Sequence, residues 1–131
     1  IIKAALAKGR EAQMKPLSIV VVDAGGHTIA FEREDGAAPG RYAVAHGKAN
    51  ACVMMGLPGS AIFARAEAQA YFVQAMNGLY GGDFVPVKGG VLVRDAKGIV
   101  LGAVGVTGDT SDNDAAVACA GIEAAGLVAE S

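Results

Sequence analysis

The two histidines of this chain are the side chains most suited to ligate a metal or to move a proton near neutral pH. His46 lies in RYAVAHGKANACVMM, where helical spacing puts it on one stripe with Tyr42, Ala49 and Val53. It could ligate haem iron, bind another metal or act as an acid or base. A half-buried histidine with one backbone partner is the more usual outcome for a lone histidine. His27 follows a predicted hairpin turn and is expected to be exposed.

Four charged residues form a second candidate group, around the strand-to-helix junction FEREDGAAPGRYAVAHGK. A small carboxylate could bind there, because an arginine guanidinium makes a bidentate contact with a carboxylate. Charges at an exposed strand end more often have no function. The ligand-binding candidates are therefore His46 and Tyr42 on the helix, with Arg33, Asp35, Arg41 and Lys48 beside them.

The segment GAVGVTGDTSDND near the C-terminus resembles a binding loop but matches no binding motif. Its glycine spacing is not that of a dinucleotide-binding turn, and no G-K-[ST] follows for a phosphate loop. An EF-hand count from Asp109 puts Asp114 and Ala120 where Gly and Glu are required. We expect no metal here. Ser111 to Asp114 instead predicts a capping box at a helix start. Gly102 and Gly105 lie on opposite sheet faces, where each is predicted to let a helix or another subunit approach the strand closely.

The chain has the element order α-β-β-α-α-β-β-α, in which hairpins outnumber parallel crossovers. We predict an α+β fold in which helices pack on an antiparallel sheet. The turns are Asp23 to Gly26 and Asp95 to Gly98. The predicted helices span residues 1–15, about 41–55, 66–76 and 112–125; Pro16 ends the first and Gly126 follows the last. The predicted strands include residues 17–22 and a half-buried strand at 27–34, with a short strand near 85–87.

Composition limits the class of protein. The 131 residues, 53% of them hydrophobic but only 5% aromatic, predict one domain, residues 1–131, that covers part of its apolar surface with copies of itself. A net charge of −2 argues against nucleic acid, and no apolar run is long enough to cross a membrane. Cys52 and Cys119 are expected to be free, buried thiols of a reducing compartment, which favours the cytoplasm. Because the first residue is not methionine, the sequence leaves open whether a targeting segment has been removed from its N-terminus.

Four stretches in order carry a family resemblance: VVVDAGGHTIAFEREDGA, AVAHGKANAC, VPVKGGVLVRDAKGIVLGAVGVTGDTSDND and DAAVACAGIEAAG. They resemble the GlcG/HbpS family, also called the haem-degrading or haem-binding-like domain. The resemblance implies a profilin-like α/β/α sandwich around a five-stranded antiparallel sheet, and assembly into tetramers or octamers. It implies haem as the cofactor in some members. The residues that match the family pattern, mainly in turns, caps and packing, are Asp23, Arg33, Asp35, Gly36, Lys48, Gly89, Gly90, Gly108 and Asp114.

Three functions follow from the residues and the resemblance together. The first is an oligomeric protein that binds haem or another small planar ligand and is accessory to the breakdown of glycolate, diols or glycerol. The second is a cofactor-independent enzyme acting on a small carboxylate or hydroxy acid, with Arg33, Arg41 or Lys48 holding the anion and His46 or an aspartate as acid–base. The third is a structural or partner-docking oligomer.

Overall fold

A computed structural model describes the whole chain, residues 1–131. It has five helices and five strands. The helices are α1 (Ile2–Glu11), α2 (Arg41–Met55), α3 (Gly59–Ala68), α4 (Ala70–Leu79) and α5 (Ser111–Ala124). The strands are β1 (Ser18–Asp23), β2 (Thr28–Arg33), β3 (Gly90–Arg94), β4 (Val100–Thr107) and β5 (Val128–Glu130).

The strands form one antiparallel sheet in the order β2-β1-β4-β3-β5. The two hairpins supply the first four strands, and β5 adds to the free edge of β3. The prediction of a five-stranded antiparallel sheet is therefore confirmed. The sequence-based element order lacked β5, which is only three residues long and has one neighbour.

Helices cover both faces of the sheet. Neighbouring residues of the interior strand β1 point to opposite faces, and each set packs beneath a different group of helices. Ile19 joins the core beneath α1 and α5, whereas Val20 and Val22 join the core beneath α2, α3 and α4. We call the side of the sheet beneath α1 and α5 the α1/α5 face, and the side beneath α2, α3 and α4 the α2 face. This two-sided packing confirms the α/β/α sandwich.

Gly105 lets α2 lie directly on β4. A Cβ at this position would lie 2.0 Å from the carbonyl oxygen of Ala45 and 3.2 Å from the Cβ of Ala49. Gly102 points to the opposite face, where a Cβ would meet the carbonyl of Val22 on the neighbouring strand. The predicted close approach of a helix is therefore confirmed at Gly105. At Gly102 no helix approaches, because the atoms nearest to a Cβ belong to β1, the neighbouring strand of the same sheet.

Several element boundaries differ from those predicted. Helix α1 ends at Glu11, well before Pro16, because Gln13 takes a left-handed conformation at φ 54°. The helix predicted at 66–76 is two helices, separated at Gln69, where φ is −143°. Residues 85–87 form no strand. All of β2 is exposed rather than half-buried, because it is an edge strand that the helices cover little.

The turns agree with the sequence, but the cap of α5 does not. The amides of Gly26 and Gly98 donate to the carbonyls of Asp23 and Asp95, as predicted. The predicted cap at Ser111 is wrong, because the Thr110 side chain accepts the hydrogen bond from the Asn113 amide. Gly126 follows α5 at φ 76°, as expected for the residue after a helix.

Candidate functional site

Both ring nitrogens of His46 have hydrogen-bond partners. Nδ1 lies 2.9 Å from a carboxylate oxygen of Asp83, and Nε2 lies 3.0 Å from the carbonyl oxygen of Gly26. The side chain is 17% exposed, and Tyr42 lies beside it with ring centroids 5.8 Å apart. His46 therefore connects the first hairpin turn to the loop after α4. An iron ion could bind this ring only if one of these hydrogen bonds broke.

The structure separates the charged candidate group into buried and exposed members. Arg33 and Asp35 are exposed. Arg41 is half-buried, and its Nη1 donates to the hydroxyl of Thr107 at 2.8 Å. Lys48 is buried, so it does not join the exposed group. Tyr42 is exposed and bonds with its hydroxyl to Thr28.

Lys48 and Asp114 form an ion pair in the interior. Their side chains are 3% and 1% exposed, and Nζ lies 3.1 Å from a carboxylate oxygen. Nζ also donates to the carbonyl of Val106 at 2.8 Å. Burial lowers the pKa of Lys48, although the Asp114 carboxylate opposes this shift. Because Lys48 is on α2 and Asp114 on α5, the pair connects the two helical layers.

His27 has the geometry of an oriented, accessible ligand. Its side chain is 82% exposed, which confirms the expected exposure. Nδ1 lies 3.2 Å from a carboxylate oxygen of Asp23, and Nε2 has no hydrogen-bond partner. Hydrogen bonds from His27 and Gly25 lower the pKa of Asp23, so this carboxylate stays ionised. An ionised carboxylate on Nδ1 favours the tautomer whose Nε2 lone pair is free.

An apolar slot of about 180 Å³ opens on the α1/α5 face near this histidine. The sheet register places His27 at its end, because the Asp23 amide bonds to the carbonyl of His27 and Asp23 pairs with Gly102 in the slot floor. Ile29 and Leu101 are exposed at its rim, 66% and 44% respectively. The slot lining is otherwise Ile1, Val21, Val22, Val93 and Leu127.

A wider groove of about 520 Å³ continues from the slot and shares Ile1 and Val21 with it. Its lining adds Ala30 and Phe31, with Lys3 at the border. Ligand pockets usually have volumes of about 300 to 1,000 Å³ and mainly apolar walls. Slot and groove together are therefore large and apolar enough for one side of a planar hydrophobic ligand, and the charged residues of the groove lining are one cation, Lys3, and one anion, Glu32.

The two cysteines are free thiols, as expected. Cys52 is buried, and burial raises the pKa of its thiol to about 12, so it is unreactive. Cys119 is only half-buried, contrary to the prediction, because it packs at the border of the core beneath α5 and also lines a cleft that is open to solvent. No group of three or more His, Cys, Asp or Glu side chains is placed to hold a metal ion, and no helix has the length and hydropathy to cross a bilayer.

Sequence reasoning missed the pairing of Asp23 with His27. The interpretation of DAGGH as turn chemistry was correct, but the same aspartate also orients the histidine that follows the turn. The four-residue spacing across a tight turn could have indicated this contact, since it returns both side chains to the same face. The acidic partner of His46, Asp83, lies in an irregular loop and gave no such signal.

Comparison with known proteins agrees with the fold. The family model described as haem degrading protein HbpS-like matches residues 1–123. HbpS is 30% identical over 93% of this chain and 82% of its own, with a TM-score of 0.77. The Klebsiella pneumoniae protein ORFY is 25% identical over 93% and 82%, with a TM-score of 0.80. PduOC in complex with haem is 22% identical over 99% and 92%, with a TM-score of 0.86, and shows the shared fold alone.

No protein with curated annotation matches the chain in sequence. The family model, which covers nearly the whole chain, and the 30% identity to HbpS are each sufficient for assignment. The chain belongs to the HbpS-like family.

Proposed function

We propose that this chain binds haem at the apolar slot on the α1/α5 face, with Nε2 of His27 as the iron ligand. The observation that carries the proposal is the exposed, unpartnered Nε2 of His27, a residue that the sheet register brings next to Gly102 in the floor of an apolar slot. A porphyrin ring needs apolar surface for its faces and an imidazole lone pair for its iron. Membership of a family described as haem degrading supports the choice of haem among planar ligands.

Asp23 gives His27 the second contact that iron-binding histidines usually have. A carboxylate on the other ring nitrogen fixes the tautomer and raises the basicity of the ligating nitrogen. In this chain Asp23 also accepts hydrogen bonds from the amides of Gly25 and His27, at 2.9 and 3.0 Å. The carboxylate is therefore held in place, and the imidazole ring is positioned before any ligand arrives.

The site is open, and we propose that a second copy of the chain covers it in a homo-oligomer, a tetramer or octamer. At the rim of the slot, Ile29 of the edge strand β2 is exposed by 66% and Leu101 of β4 by 44%. Apolar side chains in one exposed group usually mark an interface or a ligand surface. We also propose a cytoplasmic location, supported by the free thiols, and an accessory role in glycolate, diol or glycerol breakdown, which rests on the family resemblance alone.

Replacing His27 with alanine should abolish saturable haem binding. The variant keeps the apolar slot but loses the only histidine nitrogen that is free to ligate iron. Haemin titration of the wild type should give a shifted Soret band that saturates at a fixed stoichiometry. The alanine variant should give only the broad, unsaturating absorbance of haemin on apolar surface, and added imidazole should restore the ligated spectrum.

The control is His46→Gln, which removes the only other histidine. This variant should keep the wild-type Soret band. If it loses the band while retaining wild-type circular dichroism, His46 is the ligand and the assignment to His27 is wrong. If the wild type itself does not saturate with haemin, haem binding is refuted.

A further inference from the structure

A group of polar side chains, separate from the apolar slot, lies on the opposite, α2 face, at the end of the sheet where α2 begins. Arg33, Ser18 and Thr107 are paired across β2, β1 and β4, so their side chains form one row on one face. The face is that of α2, because Gly105, two residues before Thr107, lies against the backbone of α2. Arg41, the first residue of α2, reaches this row through its bond to Thr107.

The row has more positive than negative charge. Neither Arg33 nor Arg41 forms an ion pair. The Arg41 charge is close enough to Lys48 to contribute to the lowered pKa of that lysine. The buried carboxylate of Asp114 pairs with Lys48 alone, so Arg41 has no anionic partner. A half-buried arginine without an anionic partner is unfavourable, because both its desolvation and the repulsion from Lys48 cost free energy.

Several hydrogen-bonding groups at the same place have no partner. The Ser18 hydroxyl is fully buried and makes no hydrogen bond. The amides of Tyr42 and Ala43, in the first turn of α2, donate to no carbonyl or side chain. The residue before the helix, Gly40, has no side chain that could cap them. Free first-turn amides and the helix dipole both attract an anion.

We propose that this row binds a small carboxylate anion, held by the guanidinium groups of Arg33 and Arg41 and the first-turn amides of α2. The enclosed hydroxyl of Ser18 donates to the anion once the Arg41 side chain turns from Thr107 towards it. Guanidinium groups match the planar pair of oxygens of a carboxylate. The site is separate from the proposed haem site, because the sheet lies between them. Its ligand does not depend on haem, so the two proposals stand or fall independently.

The test is titration of uniformly 15N-labelled protein with sodium acetate, at constant ionic strength maintained by chloride. We expect saturable shifts of the amide signals of Tyr42 and Ala43 and of the Nε–H signal of Arg41. Arg33→Gln and Arg41→Gln should each weaken binding about tenfold or more, the usual effect of removing a charged hydrogen bond. Arg33 is exposed, so its variant should fold normally.

The matched control is Arg65→Gln, which removes one exposed positive charge from α3 and should leave acetate binding unchanged. Equal weakening by Arg65→Gln and Arg33→Gln would mean unspecific attraction and would overturn the proposal, as would amide signals that do not move. Saturation with inorganic phosphate but not with acetate would refute a carboxylate ligand.

Ser18→Ala provides a readout that separates binding from folding. Removing a buried hydroxyl without a partner should raise the melting temperature by about 3 °C in protein without acetate. The same change should weaken acetate binding, because the alanine has no hydroxyl to donate. If the melting temperature rises while the acetate affinity stays at the wild-type value, Ser18 does not contact the anion and its inclusion in the site is wrong.

Discussion

Replacing Lys48 with methionine should lower the free energy of unfolding by about 3 to 5 kcal/mol, the usual effect of leaving a buried charge unpaired. Asp114 is 1% exposed and has no other cationic partner. It would keep only the hydrogen bond from the Asp109 amide, at 3.0 Å. Methionine retains most of the apolar stem of lysine. The decrease in the free energy of unfolding would therefore come from the missing charge and not from a cavity. Urea denaturation followed by circular dichroism measures the change.

Two variants test whether the buried pair is the cause. Lys88→Met removes an exposed partner of Asp112 and should cost less than about 1 kcal/mol. Adding Asp114→Leu to Lys48→Met should recover most of the lost stability, because no buried charge then remains. A loss at Lys48→Met no larger than at Lys88→Met would contradict the assignment.

The lowered pKa of Lys48 determines the sign of its contribution to the pH dependence of the free energy of unfolding. The pKa of Lys48 is lowered in the folded protein from 10.5, so between the lowered value and 10.5 the unfolded chain binds more protons. Lys48 therefore makes the free energy of unfolding rise as the pH increases towards 10.5. This contribution should be absent from Lys48→Met.

Replacing Gly105 with alanine should destabilise the fold by about 3 kcal/mol, since overpacking a tight core forces the backbone to move. The added Cβ would lie 2.0 Å from the carbonyl oxygen of Ala45. A backbone atom cannot turn aside as a flexible side chain can, so the whole of α2 must shift away from β4. The decrease in unfolding free energy is measured by urea denaturation.

Gly78→Ala is the matched control, because nothing lies within 4 Å of a Cβ at this position in α4. Alanine should stabilise the protein there by about 0.5 to 1 kcal/mol, through its higher helix propensity. Similar stability of the two variants would mean that α2 does not depend on close contact at Gly105.

The features that the sequence predicted well are those set by local residues. Helix α2 begins and ends at the predicted residues, because glycines lie immediately outside both ends. The two Asp-to-Gly turns follow from short-range hydrogen bonding. The α+β class followed from the order of hairpins and helices, and the family resemblance added the fifth strand.

The features that it did not predict depend on partners far away in the chain. Lys48 was placed in an exposed group because its neighbours are charged, whereas its partner is 66 residues away. Asp114 was interpreted as part of a capping box, since its spacing from Ser111 is that of a helix start. Neither pattern contains the information that both side chains point inward and meet. For the same reason the partner of His46, 37 residues away, was not foreseen.

The contact between Lys48 and Asp114 also determines how the molecule opens. α2 covers one face of the sheet and α5 the other, so moving either helix alone would leave a charge in apolar surroundings. Partial opening of one layer therefore costs nearly as much as opening both, and the two helices belong to one cooperative unit. Their interior amides should exchange with solvent only through global unfolding. A ligand on either face consequently protects the layer on the other.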